Sequence, residues 1–69
     1  MTYRELTRKL KNLGCVFDRQ GSGSHEVWIN PRTRMRTTIP NWRGRDLRAG
    51  TVRGVVRELG LAKDEFDRA

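Results

Sequence analysis

One histidine stands in this 69-residue sequence, at the end of the segment Gly21-Ser22-Gly23-Ser24-His25. Imidazole is the side chain whose ordinary titration lies nearest neutrality, so it can take up and return a proton at pH 7 without special tuning. The four residues before it have the complementary property. Glycines let backbone N–H groups approach a phosphate closely, although the same composition also makes an ordinary flexible hairpin loop. His25 is therefore the candidate general acid or base, and Gly21, Ser22, Gly23 and Ser24 are candidate substrate-binding residues.

The charge balance says which substrate such a site would meet. Fifteen Lys and Arg face 8 Asp and Glu, a net charge of +7, and 12 of the basic residues are arginine. The arginines run along the whole chain, and a planar guanidinium fork suits bidentate phosphate contacts and stacking on bases. A polyanionic partner follows, with nucleic acid ahead of other polyanions. Arg34 and Arg36 are candidate phosphate contacts, with Arg43, Arg45 and Lys9 as further ones. Trp28 and Trp42 are candidates for base stacking, against the alternatives of core packing or a protein interface. RNA in particular brings its own nucleophile, the 2′-hydroxyl. One well-placed imidazole can then accelerate cleavage by about 10²–10⁴-fold, and arginines can stabilise the charge growing on the phosphorane oxygens.

Other chemistries find less support. A carboxylate pair would need Glu5 and Glu26, but Glu5 is better explained as a helix-capping residue, and Glu26 alternates away from His25 along its strand. Cys15 is alone, so it forms no intramolecular disulfide, and no Cys/His cluster has metal-ligand spacing. No metal and no cofactor is expected. The lone thiol fits a reducing cytoplasm, and without an apolar leader or a membrane-length apolar run the expectation is a cytoplasmic protein that makes no membrane contact.

The elements that must hold His25 can be read from spacing. Thr2 and Glu5 have the Thr-x-x-Glu arrangement of a capping box, and Leu6, Leu10 and Leu13 then recur at i, i+4 and i+7 before Gly14. This predicts a helix over roughly 3–13. A strand over Cys15–Gln20 enters the Gly-Ser loop, and His25–Asn30 alternates as a second strand, with His25, Val27 and Ile29 on one face and Glu26 and Trp28 on the other. After an Asn30-Pro31 turn, Arg34–Ile39 alternates again, and Pro40 ends the third strand. A polar connection fills 41–50. Thr51 is the predicted cap of a second helix with the stripe Val52, Val55, Val56 and Leu59, closed by Gly60. Lys63–Asp67 adds a final turn that folds Phe66 onto the core.

The order is α-β-β-β-α, an α+β fold in one small domain over 1–69: a three-stranded antiparallel sheet with two helices on one face. Double-stranded RNA-binding domains share this order and read A-form RNA through shape, phosphate and 2′-hydroxyl contacts. A shared architecture does not by itself assign a function.

Several stretches together resemble the HicA family of toxin components of bacterial and archaeal toxin–antitoxin pairs. They are Tyr3-Arg4-Glu5-Leu6 through Leu13-Gly14-Cys15, Gly21-Ser22-Gly23-Ser24-His25, Thr37-Thr38-Ile39-Pro40, and Gly50-Thr51-Val52-Arg53 through Leu59-Gly60. The resemblance implies a small ribonuclease that cleaves messenger RNA without a metal, with His25 at the position of the family's catalytic histidine. It implies a HicB-type antitoxin as partner, covering His25, and DNA contact only through the antitoxin complex. Many members carry a second histidine just after the proline ending the third strand. Here Asn41-Trp42 stands there, so a two-histidine mechanism is excluded. The alternative is a non-catalytic RNA-binding module of the same fold. A DNA-binding regulator acting through the second helix has less to recommend it, since the apolar stripe leaves only Arg53, Arg57 and Glu58 to read bases.

Overall fold

The structure, a computed structural model, describes residues 1–69. Its elements are α1 (Tyr3–Asn12), β1 (Val16–Gln20), β2 (His25–Asn30), β3 (Met35–Pro40), α2 (Ala49–Glu58) and a short α3 (Lys63–Asp67). The three strands form one antiparallel sheet in the order β1-β2-β3. This is the α-β-β-β-α arrangement expected from the sequence, extended by α3, and it is consistent with a double-stranded RNA-binding-domain-like architecture. No helix is long and apolar enough to cross a membrane.

α1 starts as its sequence dictates. The Thr2 side chain accepts from the Glu5 amide and the Glu5 carboxylate accepts from the Thr2 amide, which completes the capping box. The helix ends at Leu13, followed by Gly14 with φ at 89°, a left-handed conformation that glycine adopts without steric cost. Leu6 and Leu10 from this helix are fully buried. They join Cys15, Trp28, Ile39, Val55, Val56, Leu59, Leu61 and Phe66 in one core between the sheet and the helices.

Strand alternation holds, but which face is covered differs from what apolarity suggests. Glu26, Trp28 and Asn30 point to the helices and are buried, whereas Val27 and Ile29 lie half-buried on the open face with the exposed His25. Trp28 is therefore not available for base stacking. Its indole is 2% exposed, with Nε1 donating to Glu26 Oε1 at 3.1 Å. An indole fills more of the space beneath two helices than valine would, and its N–H finds a partner there. A bulge at Asp18 lets Phe17 oppose Trp28 while Arg19 opposes Val27, so Phe17 stacks edge-on against Trp28 at the sheet margin.

Two boundaries also shift. Thr51 does not cap α2: the helix begins at Ala49 with Arg48 as its cap, and no side chain bonds to the open amides there. The preceding connection holds a core residue, Leu47, whose amide donates to the Met1 carbonyl at 2.7 Å, and Thr2 pairs with Asp46. Burying Leu47 draws the chain back toward the N-terminus, and α2 starts as soon as that anchor is set. β3 begins at Met35 because Arg34 occupies a left-handed turn position with φ at 63°. As expected, Phe66 is folded onto the core, with the Lys9 ammonium 5.1 Å from its ring centre.

Candidate active site

His25 is the first residue of β2, paired with Pro40 of β3. The loop before it is drawn tight by the Gly21 amide donating to the His25 carbonyl at 2.8 Å and the His25 amide donating to the Ser22 carbonyl at 3.0 Å. Gln20 Nε2 reinforces the turn by donating to the Gly23 and His25 carbonyls. Gly23 sits at φ 57°, a left-handed conformation that favours glycine, and a Cβ on Gly21 would stand a tight 3.2 Å from the His25 carbonyl oxygen, so the loop geometry favours glycine at both positions. The amides of Ser22, Gly23 and Ser24 donate to no group within the chain, and neither serine hydroxyl does. They are N–H and O–H donors presented to solvent beside the imidazole.

The ring itself is oriented by its loop. His25 Nδ1 lies 3.2 Å from the Ser22 carbonyl oxygen. A carbonyl has no proton to give, so this contact is a hydrogen bond only when Nδ1 carries the proton. In the neutral ring that leaves the lone pair on Nε2.

Behind this loop, on the covered face of the sheet, is a polar cluster the sequence did not single out. Glu26 Oε1 accepts from the Tyr3 hydroxyl at 2.6 Å and from Trp28, and Oε2 accepts from Asn41 Nδ2 at 3.2 Å. Burial alone would push the Glu26 carboxyl up, but the three hydrogen bonds outweigh it and hold the group below the usual carboxylate range. Tyr3 is pushed up to about 12 by burial and by the bond to Glu26. Asn41 also donates its amide to the Ser24 carbonyl at 2.8 Å, so it joins this cluster to the His25 loop. Both Glu26 oxygens are engaged on the far side of the sheet from the imidazole, which removes Glu26 as its carboxylate partner.

The candidate phosphate-binding arginines are not all brought together. Arg34 lies in the β2–β3 turn, at the far end of β2 from His25, a separation of about 17 Å along the strand. Arg36 sits opposite Ile29 on the open face, with Nε donating to Asp18 Oδ2 at 3.1 Å, where Arg19 also pairs. Lys9 is held by the Phe66 and Asp67 carbonyls at the end of α3. Arg43 lines a cleft of about 300 Å³ with Gln20, Ser24, Glu26 and Asn41, so it meets the loop at Ser24, on the Glu26 side of the sheet and not at the imidazole. Arg43 makes no ion pair. Its place could not be read from sequence, because it depends on Asn41 bonding back to the loop. Trp42, beside it, is 38% exposed and remains placed to meet a ligand.

An exposed imidazole with Nδ1 against a carbonyl oxygen, three open amides and two serine hydroxyls make a site suited to a phosphodiester. Comparison with known proteins agrees with the architecture around it. No curated protein and no solved structure matches the chain. The family model described as "HicA toxin of bacterial toxin-antitoxin" matches residues 3–61, which spans α1, the sheet, the His25 loop and α2. The chain belongs to the HicA toxin family, and it is the toxin of a toxin–antitoxin pair.

Proposed function

We propose that this toxin is a metal-independent endoribonuclease that cleaves messenger RNA with His25 as its single catalytic histidine. The observation that carries the reading is the Nδ1 contact to the Ser22 carbonyl, which directs the basic Nε2 outward beside the open amides of Ser22, Gly23 and Ser24. In the proposed step, Nε2 takes the proton of the RNA 2′-hydroxyl as its oxygen attacks phosphorus. The bond from phosphorus to the 5′-oxygen breaks, and a 2′,3′-cyclic phosphate forms. Water protonates the departing 5′-oxygen, and the imidazolium returns its proton to solvent. The loop amides hold the non-bridging oxygens while their charge grows, at the stage where electrostatic stabilisation acts most strongly. Gly21 and Gly23 keep the loop backbone close enough for this, and Asn41 fixes the loop to the core where other members carry a second histidine.

A toxin of this kind requires a cognate antitoxin. We place a HicB-type partner over His25, acidic where it docks against the +7 chain, with any DNA contact made through that complex. The test is incubation of a purified transcript with the toxin in excess chelator. Fragments ending in 2′,3′-cyclic phosphate and 5′-hydroxyl are expected, and addition of the antitoxin should stop their formation. RNA that is bound but left intact would support a non-catalytic binding module instead.

A further inference from the structure

We infer that the outward face of α1 is a second, sequence-independent RNA-binding site, a track for the phosphate backbone that leads away from His25. The inference rests on the RNA reading above. Three clefts join end to end. The first meets the His25 loop at Ser24 and is lined by Gln20, Ser24, Asn41, Arg43 and Glu26, whose carboxylate is engaged by Tyr3, Trp28 and Asn41; Asn41 and Arg43 also line the second, of about 650 Å³, with Tyr3, Arg4 and Lys11. Arg4 and Lys11 continue into a third cleft with Arg8.

The spacing of the basic residues is what a row of phosphates would require. Arg4, Arg8 and Lys11 recur at i, i+4 and i+7, which places them on one face of α1. From Arg4 to Lys11 the helix rises about 10 Å, enough for about two or three consecutive phosphates. None of the three makes an ion pair. The one carboxylate within α1, Glu5, is occupied by Thr2 in the capping box.

Two of these residues, Arg4 and Arg8, do little for the fold. Arg4 stands in the first turn, at the positive end of the helix dipole, and Arg4 and Arg8 are like charges one turn apart; both placements disfavour the isolated helix. Lys9, by contrast, reaches the last carbonyls of α3 and is accounted for structurally. Lys11, in the last turn, suits the helix dipole, but Arg4 and Arg8 oppose local stability and lie along connected clefts, which a polyanion that neutralises them explains.

The test compares the parental chain with the triple variant Arg4→Gln, Arg8→Gln, Lys11→Gln. Binding to an oligonucleotide of about 20 residues is measured across salt concentrations in a His25→Ala background, so the ligand is not consumed. The slope of log K against log salt should become shallower by about 2 for three lost contacts to a single strand. Cleavage of a dinucleotide, which reaches only the His25 loop, should be unchanged with His25 present, and the melting temperature should not fall. An unchanged slope would overturn the track, as would equal losses on long and short RNA together with a lower melting temperature. Failure of the parental protein to cleave either RNA would instead overturn the nuclease reading, while the slope would still decide the track.

Discussion

The two ends of β2 are built to opposite specifications. At one end Asn30 is 1% exposed, and every polar atom of its side chain is used: Nδ2 donates to the Leu59 carbonyl at 2.9 Å, and Oδ1 accepts from the Arg32 amide at 3.1 Å. Its own carbonyl accepts from the amides of Thr33 and Arg34, and Thr33 Oγ1 adds a second bond to Leu59. This end closes the β2–β3 turn and satisfies the carbonyl of Leu59, the residue that caps α2, in one network. At the other end His25 is exposed, its ring makes a single internal contact, and the loop before it leaves three amides unpaired. A strand of six residues thus carries a locked polar residue at its finish and an available one at its start. Satisfied polar groups rigidify a core, and unsatisfied exposed ones are free to bind.

The largest expected effect lies at the locked end. Asn30→Ala strips partners from the Leu59 carbonyl and the Arg32 amide and should destabilise the domain by about 2–3 kcal/mol, lowering the melting temperature by about 10 °C or more. A melting temperature within a degree or two of the parent would mean that the network is not what holds this end. Next is Gly60, which follows α2 with φ at 69° and faces Met35 Sδ and Thr33 Cγ2, at 2.9 and 3.1 Å from the position of an added Cβ. Gly60→Ala should cost about 1–2 kcal/mol, mainly from the left-handed backbone, since the methionine can move aside. Thermal denaturation would show whether Leu59 and the turn stay joined.

Between the two ends lies the Glu26 cluster, and it should show itself through pH. Glu26 is held below the ordinary carboxylate range when folded, so its contribution is present above that range and is lost as pH falls through its folded value. Denaturation of the parent should therefore steepen on acidification below about pH 4, and Glu26→Gln should be less stable at neutral pH yet lose less on acidification. Parallel acid limbs in the two proteins would contradict the assignment. Tyr3 runs the other way: its folded value is raised to about 12, so its contribution holds below pH 10 and fades as pH climbs toward that value. The smallest effect is expected at Arg34. Arg34→Gly relieves a left-handed turn and should raise stability by about 0.5–1 kcal/mol with RNA cleavage unchanged, because that turn lies at the far end of the sheet from the site. A clear loss of cleavage would restore Arg34 as a substrate contact.

Local signals were legible in the sequence and long-range ones were not. The Thr2–Glu5 cap, the leucine spacing of α1, the alternation of β2 and β3, and Phe66 as a lid each depend on neighbours within a turn or a strand. Alternation shows that Trp28 shares a face with Glu26, but not that helices cover that face. That outcome depends on Tyr3 and Asn41, 23 and 15 residues away, supplying bonds to a carboxylate that would otherwise be costly to bury. Leu47 was hidden in an arginine-rich connection because a single apolar residue has no period. Asn30 read as the start of a turn, since its partner Leu59 lies 29 residues on. His25 was legible by type alone. Its Nδ1 contact to Ser22 and the open amides beside it needed the folded loop.

The claim that the open end of β2 is where RNA is cut can be tested with one substitution. Parental toxin and His25→Ala are incubated with the same transcript in excess chelator, and initial cleavage rates are compared after melting curves show both to be folded. The account predicts melting temperatures that coincide and a rate lowered by about 100-fold or more in His25→Ala. A folded His25→Ala protein that cleaves at the parental rate would contradict it.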